Sequence, residues 1–120
     1  MPFIISRVNI PISNEQEIVI KSKLGRAIEL VPGKSEQYLL LGFEDNYHLY
    51  LKGDNSKPIA YITASIFGNE QHLGYDEFAR EVTKIFNEVL NIPIENIYIK
   101  FDDISDWSVA GQNIDRNRYL

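Results

Sequence analysis

At 120 residues, the chain has the length of one domain and can bury a core without disulfide or metal staples. Its formal charge of -5, with 12 Lys and Arg that form no basic run, argues against nucleic-acid binding, which needs a patch that neutralises phosphates. Cysteine is absent, which excludes disulfides, thiolate catalysis and cysteine-bound metals, and no stretch reaches the roughly 18 apolar residues that would span a bilayer.

In chain order, residues 3–10 are mostly apolar or β-branched and read as a strand that Pro11 ends. Ser13 with Gln16 three residues later is a capping-box pattern. Ile20, Leu24, Ala27, Ile28 and Val31 then follow at helical spacing, and Pro32-Gly33 stops the helix. Strands are expected at 38–43 and, after a turn at Asp45-Asn46, at 47–51. Residues 52–57 are loop by composition, and 59–67 read as a long strand with Pro58 at its start. A second helix covers 75–90, with Phe78, Val82, Ile85, Phe86, Val89 and Leu90 on one face. Asn91 and Pro93 end it, 97–101 form another strand, and the tail 104–120 holds a short strand or two.

The pattern repeats. Each half runs strand, helix, stop signal, strand, with pseudo-repeats at about 2–57 and 58–103 inside the single domain 1–120. Pro2 and Pro58 precede the first strands, and Phe43-Glu44-Asp45 and Phe101-Asp102-Asp103 end the second ones. Two βαβ units predict an α/β (α+β) fold: a four-stranded mixed sheet with both helices on one face. The strands look apolar at nearly every position, so the uncovered face is expected to pack on other copies of the chain.

Few side chains offer chemistry. His48 and His72 lack metal-ligand spacing and read as surface residues, and Asp102-Asp103 read as solvated residues at a strand end. No nucleotide-binding or nucleophile-elbow motif occurs. Lys34 stands just after the first helix, where a cation either serves the helix dipole or binds an anion. Tyr98 reads as core on composition alone. If Met1 is removed, Pro2 carries a secondary amine. Burial among Phe3, Ile5 and their neighbours, and a cation such as Lys34, would both lower its pKa toward neutrality, which suits a general base. If Met1 is kept, Pro2 has only an amide nitrogen.

The segments MPFIISRVNIP, GKSEQY, ASIFG and IPIENIYIKFDD, in this order and spacing, resemble the macrophage migration inhibitory factor family of the tautomerase superfamily. The resemblance covers about residues 2–103. It implies a homotrimer of two-βαβ chains and cofactor-independent keto–enol tautomerisation of 2-oxo acids such as phenylpyruvate, with no metal. It implies Pro2 as catalytic base, Lys34 on the substrate carboxylate, the Phe67 backbone N–H beside it, and Tyr98 contributed by a neighbouring subunit. Lys100 stands where the family has an asparagine and adds a second cation. Ile59 to Ile62 replace the animal proteins' Cys-x-x-Cys segment, and the C-terminal motif is not kept, so Trp107 is the candidate for the aromatic wall. The alternative is a cytokine-like signalling module that binds a protein receptor. A decarboxylase or dehalogenase using the same proline ranks last, because Arg7 and Arg80 do not place convincingly. Expected partners are a small 2-oxo acid and other copies of the chain, with no nucleic acid and no membrane. The expected location is cytoplasmic, or secreted without a signal peptide.

Overall fold

The computed structural model describes residues 1–115. Elements run β1 (Pro2–Val8), α1 (Asn14–Ala27), β2 (Leu40–Glu44), β3 (Ala60–Phe67), α2 (Tyr75–Leu90), β4 (Ile97–Ile104), β5 (Asp106–Val109) and β6 (Gln112–Asp115). The first four strands form one sheet in the order β2-β1-β3-β4. β1 with β2 and β3 with β4 are parallel, and β1 meets β3 antiparallel at the centre. This is the four-stranded mixed sheet that two βαβ units predict.

Local chemistry explains the helices. Ser13 Oγ accepts from Gln16 N–H at 3.1 Å and the Gln16 side chain accepts from Ser13 N–H at 3.0 Å, so the capping box satisfies two orphan donors of α1. In α2, Tyr75, Phe78, Val82, Ile85, Phe86 and Leu90 recur every three or four residues and all are buried. They meet Ile4, Val8, Ile62, Ala64 and Ile66 of the sheet and Ile20 and Leu24 of α1 in one core. Each large side chain so buried contributes about 1.5–3 kcal/mol.

The strand register decides which residues reach that core. Pro2, Ile4, Ser6 and Val8 of β1 point inward, opposite Ile66, Ala64, Ile62 and Ala60 of β3. Phe3, Ile5 and Arg7 lie on the open face, so of the three residues that follow Pro2 only Ile4 shares its side. This corrects the expectation that Phe3 and Ile5 shield the proline.

The open face itself is not apolar throughout. Arg7 Nε lies 3.3 Å from Glu44 Oε1, and its guanidinium stacks over Tyr47 and Tyr61 at 5.6 and 6.0 Å. Lys100 Nζ lies 3.7 Å from Asp102 Oδ1 within β4, so Asp102 is an ion-paired strand residue rather than a solvated strand end. The hydrogen bond from Thr63, and then Lys100, hold the Tyr61 phenol below its ordinary pKa. Phe3, Ile5 and Leu40 make an apolar corner beside this polar stripe.

One other segment differs from the sequence reading. Residues 47–51 do not form a strand: Tyr47 N–H bonds to Val8 O at 2.9 Å, and then the chain leaves the sheet, with only Leu51 bridging Asp54. Among the described residues no neighbouring strand lies there to accept its ladder, and Tyr50 is exposed despite a β-type sequence. The tail holds the expected short strands as the β5–β6 hairpin, whose turn residues Ala110 and Gly111 have φ of 54° and 79°. Two positive φ values at a two-residue loop match strand twist, which favours glycine there. The charged end of the tail, 116–120, lies outside the described residues.

Candidate functional site at the start of the first strand

β1 begins where β3 ends, because the two are antiparallel. Pro2 pairs with Ile66 and is buried, and Phe67 N–H donates to Met1 O at 3.3 Å, which extends the ladder by one residue. The loop after α1 delivers Lys34 to the same place. Val31 is fully buried and Lys34 N–H donates to Val31 O at 3.1 Å, so the turn through Gly33 at φ 78° aims the lysine at the sheet. Lys34 Nζ donates to Phe67 O at 2.6 Å. Its side chain therefore serves the end of β3 rather than the dipole of α1. Gly68, at φ 82°, turns the chain away beneath the ammonium, where a β-carbon would stand 3.7 Å from Nζ.

These neighbours set the electrostatics. The Met1 amine is pushed down to about 5 from an ordinary value near 8.0, first by burial, then by the Lys34 charge and by a hydrogen bond with the Lys34 side chain. An amine at this position is held neutral at neutral pH, beside a fixed cation. A neutral amine accepts a proton and an ammonium holds an anion, so the pair can move a proton on an anionic compound.

The structure brings Pro2, Lys34 and Phe67 together. It does not bring Tyr98 or Lys100 to them within the chain. Pro2 pairs with Ile66, whose β4 neighbour is Asp103, so Lys100 lies three residues and Tyr98 five residues away along β4. At about 3.3 Å per residue that is roughly 10 and 16 Å. Tyr98 is exposed rather than core, on the open face beside Tyr61. Arg7 is bound to Glu44 on that face and Arg80 sits on α2 near Glu77, so neither arginine reaches Pro2. His48 and His72 are exposed, and His72 stacks on Tyr75 at 4.9 Å. Among the described residues no cluster of three His, Cys, Asp or Glu could hold a metal. No helix among them is long and apolar enough to cross a membrane.

Sequence reasoning missed one wall of the site. Tyr38 and Leu40, at the entry to β2, face the β5–β6 hairpin across a groove that Met1 also lines. Trp107 lines that groove as well. The usable signal for the hairpin was Ala110-Gly111 between Trp107-Ser108-Val109 and Gln112-Asn113-Ile114.

A family model described as macrophage migration inhibitory factor matches residues 1–114. No curated protein matches the sequence. Among solved structures, Leishmania major MIF2 superposes with a TM-score of 0.86 at 19% identity, over 95% of this chain and 97% of that one. The Toxoplasma gondii macrophage migration inhibitory factor gives 0.84 at 18% identity, over 93% and 99%. Pt0534 inactivated by 2-oxo-3-pentynoate gives 0.83 at 12% identity, over 98% and 99%. At these identities the structures show a shared fold.

Proposed function

From the premise that this chain belongs to the macrophage migration inhibitory factor family, we propose that it is a cofactor-independent keto–enol tautomerase of 2-oxo acids of the phenylpyruvate type. The single observation that carries this is the amine held near 5 beside Lys34 at the start of β1. Removal of Met1 puts the secondary amine of Pro2 at this position, one residue deeper. The amine takes a proton from the carbon next to the carbonyl and returns it to the other end of the enolate. Lys34 holds the carboxylate. Loss of Met1 also removes the carbonyl that occupies Phe67 N–H, which frees that donor for the substrate.

Tyr98 and Lys100 enter this reading from another copy of the chain, since their own Pro2 lies beyond reach. A homotrimer supplies that copy, and the open face, with its apolar corner and paired charges, offers the contact surface. Lys100 arrives already paired with Asp102, so it adds less positive charge than a free lysine would. A structural neighbour inactivated by a 2-oxo acid is consistent with this substrate class.

The test is enol-to-keto conversion of phenylpyruvate by protein whose intact mass shows that Met1 is gone, compared with Pro2→Gly. A lost general base lowers kcat/KM by about 10²–10⁴. Equal rates would sink the reading.

A further inference from the structure

The loop between β3 and α2 holds a buried amide. Of the buried polar residues among the described ones, Ser6, Thr63 and Asn69, only Asn69 lies in a loop. Its side chain closes both ends on one residue: Oδ1 accepts from Leu73 N–H at 3.2 Å and Nδ2 donates to Leu73 O at 2.9 Å. Inside the same turn His72 N–H donates to Asn69 O at 3.1 Å. Gly74 follows at φ 79°, and a β-carbon there would overlap the Leu30 carbonyl oxygen and stand 3.2 Å from Val31 Cα. The loop therefore packs backbone against backbone on the segment that leads into Lys34. At its other end Gly68 lies beneath the Lys34 ammonium.

Such a contact has little slack, because neither backbone can swing aside as a flexible side chain can. The path from Asn69 to the site is short. Asn69 fixes Leu73, Leu73 leads into Gly74, Gly74 bears on Leu30 and Val31, and Val31 O accepts from Lys34 N–H. Tyr75 anchors the end of the loop by stacking on Phe101 of β4 at 4.2 Å. We propose that Asn69 and Gly74 are positioning residues that hold the Lys34 ammonium at the Phe67 end of β3. Both act through Lys34. The proposal rests on the tautomerase reading for its effect on turnover, while its effect on Lys34 needs no substrate.

The experiment compares Asn69→Ala with Asn87→Ala, which removes a similar bond, from Asn87 Nδ2 to Ile92 O at 2.9 Å, near the far end of α2. Both should lower the urea midpoint. Of the two, only Asn69→Ala should raise KM for phenylpyruvate, by about tenfold with kcat within about threefold, since misplacing a binding group by about 1 Å costs up to about a hundredfold. On the chain that retains Met1, Lys34 is part of what holds the amine near 5, so a displaced Lys34 lets that value rise. The pH midpoint for acetylation of this amine, read on the N-terminal peptide by mass spectrometry, should move up by about half a pH unit in Asn69→Ala and stay in place in Asn87→Ala. Asn69→Ser, whose hydroxyl can still accept from Leu73 N–H, should recover part of both changes, and it carries the test if Asn69→Ala does not fold. Gly74→Ala pushes on Leu30 directly and should exceed Asn69→Ala in both. An unmoved amine midpoint in Asn69→Ala, an equal move in Asn87→Ala, or an unchanged KM in a chain that Pro2→Gly inactivates overturns the proposal. If the midpoint moves as expected while Pro2→Gly keeps full activity, the tautomerase reading has failed and the positioning of Lys34 stands.

Discussion

The two ends of the central strand pair are built alike and finished differently. At one end β1 starts, β3 stops, and the loop after α1 brings Lys34. At the other β3 starts, β1 stops, and the loop after α2 brings Asn96. Each loop follows a fully buried aliphatic residue and a proline, Val31-Pro32 and Ile92-Pro93. At the second end two amide side chains close on the backbone. Asn96 Nδ2 donates to Pro58 O at 3.1 Å, Asn9 Nδ2 donates to Lys57 O at 3.0 Å, and Asn9 Oδ1 accepts from Ile59 N–H at 2.7 Å. At the first end Lys34 brings three donors to the Phe67 carbonyl and to an amine that has lost its proton. Neutral amides can both donate and accept, so they seal their end. An ammonium only donates, which leaves an unmet demand for an anion. The same frame thus makes one corner closed by amides and one that holds a cation beside a neutral amine, and the difference is a handful of side chains.

The contrast is sharpest under substitution. Lys34→Gln removes the charge but keeps a donor for Phe67 O. It should lower kcat/KM toward phenylpyruvate about a hundredfold, mostly through KM, as a lost charge-assisted contact to a carboxylate does. A fall of less than threefold would mean the carboxylate is held elsewhere. The matching change at the sealed end, Asn9→Ala, strands the Lys57 carbonyl and the Ile59 N–H. It should cost about 1–2 kcal/mol in urea unfolding and leave kcat/KM within twofold. Activity that drops in step with Asn9→Ala would show the ends to be coupled, and the comparison would break.

Much of this frame was legible in the sequence, and the exceptions share one cause. α2 could be placed at 75–90 because Phe78, Val82, Ile85, Phe86 and Leu90 carry an unmistakable helical period. The capping box placed α1, and the repeated order of elements gave the sheet. What failed depended on partners. Tyr47 to Leu51 has strand composition, but a strand needs a neighbour to accept its backbone bonds, and composition does not reveal one. The open face looked apolar because Tyr61, Thr63 and Lys100 are separated along the chain, and only register aligns them with Arg7 and Glu44 into a polar stripe. Lys34 was recognisable as a loop cation, but its choice between helix dipole and sheet end was settled by Phe67 O, 33 residues away. Trp107 was visible as a lone aromatic, and the hairpin that turns it toward Met1 hinged on the Ala110-Gly111 turn.

The smallest expected effect tests the electrostatics of the reactive end without any substrate. On the chain that retains Met1, the folded amine has its pKa near 5 and the unfolded amine near 8.0. Between those values the unfolded state binds a proton that the folded state refuses. Stability therefore rises with pH across this window. It is at its fullest above pH 8, declines as pH falls toward 5, and levels off below that, where both states are protonated. The amine is about half in solvent, so screening takes much of the effect, and under about 1 kcal/mol should remain. The urea midpoint against pH, compared with the same chain acetylated at its N-terminus, isolates this group because the acetylated form has nothing there to titrate. Lys34→Gln should shrink the difference between the two curves without abolishing it, since burial is the larger cause and Lys34 the smaller. Superimposable curves for the free and acetylated chains would mean that water reaches the amine freely, and the first end would then be no more reactive than the second.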